Sequence, residues 1–246
     1  MEKPRVAFFD FTGCGGCQLQ VINLEENLLK LLEVVDVVSF REATKEHSDD
    51  YGIAFVEGSI TRRSDEARLK GIRTNAKVLV SLGSCATLGG INSLKNSQPE
   101  EYVRKFVYGD KASQYETYPA RPVKAVVPVD FEIPGCPINR KEFATVVKAL
   151  LLGKRPEIPN YPVCVECKMA GNICVFEKRM TCMGPVTRAG CGACCVTEGS
   201  FCWGCRGFVN NPNVDSQREI LAKHGLTVQD VLKKFLLYTG FSEVAK

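Results

Sequence analysis

Short apolar runs alternate with longer amphipathic segments along residues 4–152 of the chain. The apolar runs are rich in β-branched and aromatic residues, which favours buried strands. They predict strands at residues 5–9, 34–40, 52–56, 77–82 and 124–128. Between these runs, apolar residues recur at helical spacing and predict helices at residues 17–32, 62–74, 99–108 and 139–152. Strands that alternate with helices are typical of a parallel sheet, so we expect an α/β domain.

A second region follows this alternating pattern. Three prolines, at positions 156, 159 and 162, predict a linker over residues 153–163. Further along, Thr227 and Asp230 have the spacing of a capping box at the start of a helix. The apolar stripe of that helix is expected to pack within the protein or against a partner, and consists of Val228, Val231, Leu232, Phe235 and Leu236. The chain is therefore predicted to form two domains, residues 1–153 and 154–246.

The composition is that of an ordinary globular protein of 246 residues. The net charge of +4 is small beside 32 basic and 28 acidic residues, and the basic residues form no run, which argues against nucleic-acid binding. No apolar run approaches the roughly 18 residues of a membrane span. The first residues lack the pattern of an export signal, so a cytoplasmic protein is expected. In a reducing compartment, an odd count of 13 cysteines favours metal or cluster ligation over disulfide bonds.

Nine of the 13 cysteines fall between Cys164 and Cys205. Cys164 pairs with Cys167 and Cys202 with Cys205, in each case with two residues between them. Two thiolates at this spacing can bind one zinc ion or one iron–sulfur cluster, because a tight turn brings both sulfurs to the same side. Frequent glycines leave this segment little apolar material for a core, so metal–thiolate bonds would contribute to its folding. Spacing alone leaves structural zinc and iron–sulfur clusters equally favoured.

The other four cysteines follow three of the predicted strands. Cys14 and Cys17 come after the first strand, Cys85 after the fourth and Cys136 after the fifth. Ligands of open parallel sheets bind beyond the carboxyl ends of the strands, so these thiols are expected to converge there. Four thiolates from three loops would make one complete cluster site. Buried inert thiols would explain either Cys85 or Cys136 alone, but not the convergence of all four.

Glu57 stands at the end of the third predicted strand, at the same edge of the sheet. It is a candidate proton-path neighbour of a cofactor bound there. A carboxylate at a helix start beside Arg62 and Arg63 is, however, more often present for electrostatic stabilisation alone. The glycines around Gly13 do not form a dinucleotide-binding loop, because Gln18 stands where the third glycine of that motif belongs.

Together these motifs resemble the small subunit of nickel–iron hydrogenases over nearly the whole chain. The residues that carry the resemblance are Thr12-Gly-Cys-Gly-Gly-Cys17, Val56-Glu-Gly58, Gly83-Ser-Cys85, Pro134-Gly-Cys-Pro137, Cys182-Met-Gly-Pro185, Cys191-Gly-Ala193 and Cys202-Trp-Gly-Cys205. The resemblance implies a flavodoxin-like parallel-sheet domain with one 4Fe–4S cluster, followed by a small, irregular iron–sulfur lobe with two more. It also implies that the nickel–iron site belongs to a separate large subunit, so no catalytic residue is expected in this chain.

The resemblance further implies three groups of four cysteine ligands. The proximal group comprises Cys14, Cys17, Cys85 and Cys136. The distal group comprises Cys164, Cys167, Cys174 and Cys182, and the medial group Cys191, Cys195, Cys202 and Cys205. Cys194 is the alternative to Cys195, because only the family's Cys-x3-Cys spacing favours the latter. Four available cysteines at the medial site imply a 4Fe–4S rather than a 3Fe–4S cluster.

Cys164 stands where respiratory members of the family use histidine, which makes the chain similar to the delta subunits of cytoplasmic, multisubunit hydrogenases and sulfhydrogenases. That similarity implies a heterotetramer whose iron–sulfur and flavin subunits exchange electrons with NAD(P)H. Two other functions remain as alternatives. A cluster subunit of a complex I-like quinone oxidoreductase would hold about four iron atoms, against about twelve in three 4Fe–4S clusters. A zinc-stabilised interaction module would have no redox function.

Overall fold

Five parallel strands form the centre of the protein in a computed structural model that describes residues 3–240. The order across the sheet is β2-β1-β3-β4-β5, which is the flavodoxin-like order. The strands are β1 (Arg5–Asp10), β2 (Asp36–Phe40), β3 (Ile53–Glu57), β4 (Val78–Leu82) and β5 (Phe131–Ile133). The predicted α/β fold with a flavodoxin-like sheet is confirmed. Met1, Glu2 and residues 241–246, which belong to the two predicted domains, lie outside the described residues.

Both faces of the sheet are covered by clusters of buried residues. Alternate side chains of each strand point to opposite sides, so β1 to β4 each contribute to both clusters. On one side Phe8 and Phe55 pack against Phe143, with ring centroids 6.4 and 5.3 Å from it. On the other side Phe9 packs among Ala54, Leu69 and further buried residues. The central strands are therefore buried on both sides, as expected for a parallel sheet wound with helices.

The first four predicted strands are confirmed to within two residues, but the predicted strand at residues 124–128 is wrong. That segment begins with a 3-10 helix, Val123–Ala125, and Val123 and Val127 turn together into the core. The fifth strand comes a few residues later, at Phe131–Ile133. Asp130 fixes its start, because its carboxylate accepts a hydrogen bond of 2.7 Å from the backbone N–H of Leu79 in β4.

The helix predicted at residues 17–32 is also wrong in part, because the chain forms two helices there. They are separated near Glu25, whose φ of 56° is incompatible with a continuing helix. Buried Leu24 lies in this break and contributes to the core. The helices of this region are α1 (Gly16–Ile22), α2 (Glu26–Val34), α3 (Arg63–Asn75), α4 (Gly83–Leu88), α5 (Glu100–Tyr108) and α6 (Arg140–Leu151).

The cysteine-rich region contains short helices and two small apolar clusters. Its helices are α7 (Val163–Met169), α8 (Cys194–Thr197), α9 (Val214–Lys223) and α10 (Val228–Thr239). One cluster includes Cys182 and Cys202, so two of the predicted ligands are themselves part of its interior. The predicted capping box at the start of α10 is confirmed. The apolar stripe of α10 is only partly internal, because Phe235 is buried whereas Val228 is 79% exposed. Across residues 3–240, the helices are all too short or too polar to cross a membrane.

Candidate metal centres

The four cysteines of the proximal group lie where three strands end. Cys14 follows β1 and Cys17 lies in the first turn of α1, while Cys136 follows β5. Cys85 lies in the first turn of α4, directly after β4, rather than in a loop. These elements meet at the carboxyl edge of the sheet, next to the point where the strand order reverses between β1 and β3.

The proximal thiols lie within electrostatic reach of one another. Burial, together with the charges of Cys136, Cys14 and Glu57, raises the pKa of Cys85 to about 12. Burial also raises the pKa of Cys17, and the charges of Glu57, Cys136 and Cys85 add to that effect, although a backbone hydrogen bond from Ile138 lowers it. The structure thus brings together all four cysteines that the strand ends predicted.

Glycine backbone surrounds the proximal sulfurs at very short range. A Cβ atom added at Gly83 would lie 2.3 Å from the Sγ of Cys17. One added at Gly90 would lie 2.8 Å from the Sγ of Cys85, and both glycines have positive φ values. The glycine in the motif before Cys85 is therefore required both for its backbone conformation and for the space it leaves.

Two polar side chains fix the proximal loops. The carboxylate of buried Glu57 accepts hydrogen bonds of 3.0 Å from the backbone N–H groups of both Cys17 and Gln18. Glu57 thus stabilises the first turn of α1, not the helix that carries Arg62 and Arg63. Asn92 donates to the backbone oxygen of Thr12 at 2.9 Å and to the Sγ of Cys85 at 3.7 Å. Asn92 was not identified from the sequence, where nothing marks it.

The medial group surrounds a cavity of about 190 Å³. The cysteines that line the cavity are Cys136, Cys191, Cys194, Cys195, Cys202 and Cys205. The pKa of Cys205 is raised to about 12, chiefly by burial and also by the charges of Cys191, Cys136 and Cys195, while a hydrogen bond from the backbone of Cys136 opposes the shift. Cys194 is exposed, whereas Cys195 is partly buried. The cavity thus brings together the four predicted medial cysteines, the alternative Cys194 and one proximal cysteine.

The distal group lies around α7. Burial, together with the charges of Cys182, Cys167 and Cys174, raises the pKa of Cys164 to about 11. The Sγ of Cys182 accepts hydrogen bonds of 3.4 Å from the backbone N–H of Gly184 and from that of Cys202. The other three distal thiols thus lie within electrostatic reach of Cys164, and the backbone N–H of medial Cys202 contacts the Sγ of Cys182.

Glu166 has the same function in the medial loop that Glu57 has in the proximal one. Its two carboxylate oxygens accept hydrogen bonds of 2.8 and 2.9 Å from the backbone N–H groups of Gly190 and Gly192, which flank Cys191. Glu166 lies between Cys164 and Cys167 in sequence. That position is the only sequence signal that pointed to it, and the prediction missed it.

The donor set fits iron–sulfur clusters. Burial of several thiols together disfavours their charged forms, and bound cationic iron would compensate by stabilising the thiolates. The four thiolates of a 4Fe–4S cluster bind four different iron atoms, so they surround a larger space than the ligands of a single metal ion do. The medial cysteines line such a space, the cavity of about 190 Å³. Among residues 3–240, no three histidine, cysteine or acidic side chains are arranged to hold a single metal ion.

Comparison with known proteins gives a consistent result. The family model of the NADH ubiquinone oxidoreductase 20 kDa subunit matches residues 14–150. Sulfhydrogenase 2 subunit delta of Pyrococcus furiosus is 37% identical over 232 residues, which cover 94% of this chain and 97% of that protein. A subunit of the F420-non-reducing hydrogenase of Methanocaldococcus jannaschii is 30% identical over 273 residues, with coverage of 97% and 94%.

Two solved structures are similar in fold. A chain of an NAD+-reducing [NiFe]-hydrogenase in the H2-reduced state superposes with a TM-score of 0.59 and 26% identity, covering 64% of this chain and 96% of that one. A chain of the Ni-Fe-Se hydrogenase from Desulfomicrobium baculatum gives a TM-score of 0.57 at 17% identity, and covers 88% of this chain and 98% of that one. The second similarity extends through most of the cysteine-rich region, where it shows the fold alone.

Proposed function

Since this chain belongs to the NADH ubiquinone oxidoreductase 20 kDa subunit family, and within it to the hydrogenase small and delta subunits, we propose that it is an electron-transfer subunit of a nickel–iron hydrogenase. Its partner is a large subunit that holds the dihydrogen-converting site. The observation that carries the proposal is the convergence of the cysteines into three adjoining groups, one of which encloses a cavity of about 190 Å³.

The proximal, medial and distal groups, as defined from the sequence, are the proposed ligands of three 4Fe–4S clusters. Bound clusters would supply one-electron acceptors. The chain itself holds the thiols in place, buries those of Cys17, Cys182 and Cys202, and aims backbone N–H groups at the sulfurs, as Gly184 does toward Cys182. Cys194 is proposed as the cysteine left over, because the family's Cys-x3-Cys spacing favours Cys195, although both residues line the medial cavity.

Direct contacts between neighbouring groups support a relay in the order proximal, medial, distal. Cys136 of the proximal group lines the medial cavity. The hydroxyl of Ser84, beside Cys85, donates to the backbone oxygen of Cys205. At the other end, the backbone N–H of medial Cys202 donates to the Sγ of distal Cys182 at 3.4 Å. Adjacent groups are thus joined by hydrogen bonds.

For the other end of the relay, we propose iron–sulfur and flavin subunits that react with NAD(P)H, in a cytoplasmic heterotetramer. The similarity to a chain of an NAD+-reducing [NiFe]-hydrogenase supports this acceptor. A subunit of a hydrogenase that does not reduce F420 is also similar, so an electron carrier other than NAD(P)+ or F420 is the second candidate. Hydrogen-dependent reduction of NAD+ and NADP+ by the purified complex distinguishes the two.

The family match alone also fits a complex I-like cluster subunit. That match ends at residue 150, before the distal and medial cysteines. The cysteine-rich region beyond it, with its cavity and two further groups of cysteines, favours the hydrogenase subunit over a subunit with one cluster. A zinc-stabilised module has less support, because the 37% identity to a sulfhydrogenase delta subunit covers 94% of this chain and so extends into this region.

The test is the substitution Cys136→Ser in the complete complex. We expect loss of hydrogen-dependent dye reduction, while nickel content and hydrogen–deuterium exchange at the partner's metal site stay at wild-type levels. Cys194→Ser is the matched control and should retain dye reduction. Wild-type dye reduction in the Cys136→Ser complex would show that electrons do not leave through this chain.

A further inference from the structure

We propose that Arg206 is a positioning residue that joins the proximal and medial loops and holds its positive charge beside the medial cavity, where it raises the reduction potential of the medial centre. The proposal rests on the proposed function, because it assumes a cluster held by the medial group. It assigns a function to a side chain that is not itself a ligand.

Arg206 is almost completely buried, with 1% of its side chain exposed. Its guanidinium donates to both carboxylate oxygens of Glu142 in α6, at 2.7 and 2.8 Å. A buried arginine needs such a partner, because removing a charge from water is costly unless it is paired and hydrogen-bonded. The planar fork of arginine matches a carboxylate in this two-point geometry, which lysine cannot do.

The remaining hydrogen bonds of the guanidinium tie together loops that carry ligands of two groups. It donates at 2.7 Å to the backbone oxygen of Pro134, two residues before Cys136, and at 2.7 Å to that of Ala189, two residues before Cys191. Arg206 itself directly follows Cys205. One side chain therefore fixes the relative positions of three proposed ligands.

The backbone passes so close to this ion pair that only glycine fits. Gly190 has a φ of 117°, and a Cβ atom there would lie 2.3 Å from a terminal guanidinium nitrogen of Arg206 and 2.5 Å from a carboxylate oxygen of Glu142. Gly190 adjoins Cys191, so the medial loop is packed directly onto the pair. This packing leaves the guanidinium little freedom to move relative to the cavity.

The two ends of the ion pair face different surroundings. Arg206 lines the medial cavity, whereas Glu142 lines a neighbouring open cleft that Cys191 of the medial group also lines. The positive end is thus the one that lines the medial cavity itself. Reduction adds one negative charge to a cluster, and a positive charge held nearby in a buried, weakly screened position stabilises that reduced form. The potential of the medial centre should therefore depend on the charge at position 206.

The test uses the full chain isolated anaerobically with its clusters, titrated with dithionite and followed by electron paramagnetic resonance. The medial signal is identified as the one that Cys202→Ser lacks. Arg206→Gln removes the charge, Arg206→Lys keeps it with fewer hydrogen bonds, and Glu142→Gln removes the opposing charge. Arg63→Gln is the control, because Arg63 lies on the surface with 89% of its side chain exposed.

We expect a lower midpoint potential of the medial signal in Arg206→Gln, a higher one in Glu142→Gln, and a value close to wild type in Arg206→Lys and Arg63→Gln. The other two signals should move less. The charge effect would be overturned if the midpoint potential shifted equally in Arg206→Gln and Arg206→Lys, or shifted in neither. Loss of the medial signal in both variants would overturn it as well. Fewer than three signals in the wild type would instead contradict the proposed function, so the two failures are distinguishable.

Discussion

At the residue scale, glycine backbone lies close to three of the four sulfurs of the proximal group. A Cβ atom added at Gly83, Gly90 or Gly16 would lie within 3.2 Å of a cysteine Sγ. Close backbone also allows N–H groups to approach the sulfurs, which is one way in which proteins set cluster potentials. Glycine at these positions therefore belongs to the site as much as the cysteines do.

The substitution Gly83→Ala tests this view. A Cβ at this position would lie 2.3 Å from the Sγ of Cys17, and alanine disfavours the φ of 85°. We expect the variant to lose the proximal centre, measured as iron per chain and as one missing paramagnetic signal.

Gly71→Ala is the matched control, because nothing lies within 4 Å of a Cβ atom added there. It should keep its iron and gain about 0.5–1 kcal/mol in free energy of unfolding, since alanine favours the helix. A wild-type iron content in Gly83→Ala would show that the proximal site accommodates a methyl group beside the Sγ of Cys17.

Glu57 and Glu166 provide a paired test of loop positioning. Each carboxylate accepts two backbone N–H groups beside a proposed ligand. A change to glutamine replaces one acceptor with a donor and should cost about 1–3 kcal/mol in free energy of unfolding at buried Glu57. We expect Glu57→Gln to perturb only the proximal signal and Glu166→Gln only the medial one. If both variants change the same signal, the assignment of these carboxylates to separate centres is wrong.

The sequence allowed the cysteines to be predicted, because thiol chemistry and spacing are visible in the chain. Glu166, Arg206 and Asn92 were missed for a physical reason. Each acts through a contact with residues 24–80 positions away, and such pairing depends on how the loops pack. The proposed ligands are thus readable from sequence, whereas the residues that hold the ligand loops are not.

At the element scale, the two wrong predictions share a cause. The apolar periodicity of residues 17–32 is continuous, but the chain needs a break there to bring Leu24 into the core. Residues 124–128 have the composition of a strand, but Val123 and Val127 reach the core from a 3-10 turn, and Phe131–Ile133 pairs with β4 instead. Tertiary packing overrode local preference in both segments.

The break between α1 and α2 leads to a stability prediction. Glu25 has φ 56° and ψ −127°, a conformation that is strained for any residue with a Cβ. Glu25→Gly should raise the free energy of unfolding by about 1 kcal/mol, because it relieves this strain. The relief exceeds the entropic cost of glycine and the loss of an exposed ion pair between Glu25 and Arg140. Urea unfolding measures this free energy.

Lys30→Gly, in the interior of α2, should lower the free energy of unfolding by about 1 kcal/mol. A change of the same sign in both variants would contradict the strained break.

At the scale of the whole molecule, the flavodoxin-like sheet provides one centre and a set of fixed loop ends, and the cysteine-rich region is built onto that edge. Ser84 and Arg206 connect the two through hydrogen bonds to Cys205 and Pro134. The proximal and medial cysteine groups are therefore held next to each other by contacts between the two regions. The proposed electron path depends on these contacts rather than on any single site.

Quantitative iron, acid-labile sulfide and spin analysis of the anaerobically isolated full chain tests this account most directly. Three 4Fe–4S clusters predict about twelve iron and about twelve sulfide per chain, with three paramagnetic centres after full reduction. Zinc without acid-labile sulfide, or about four iron with a single paramagnetic centre, would contradict it.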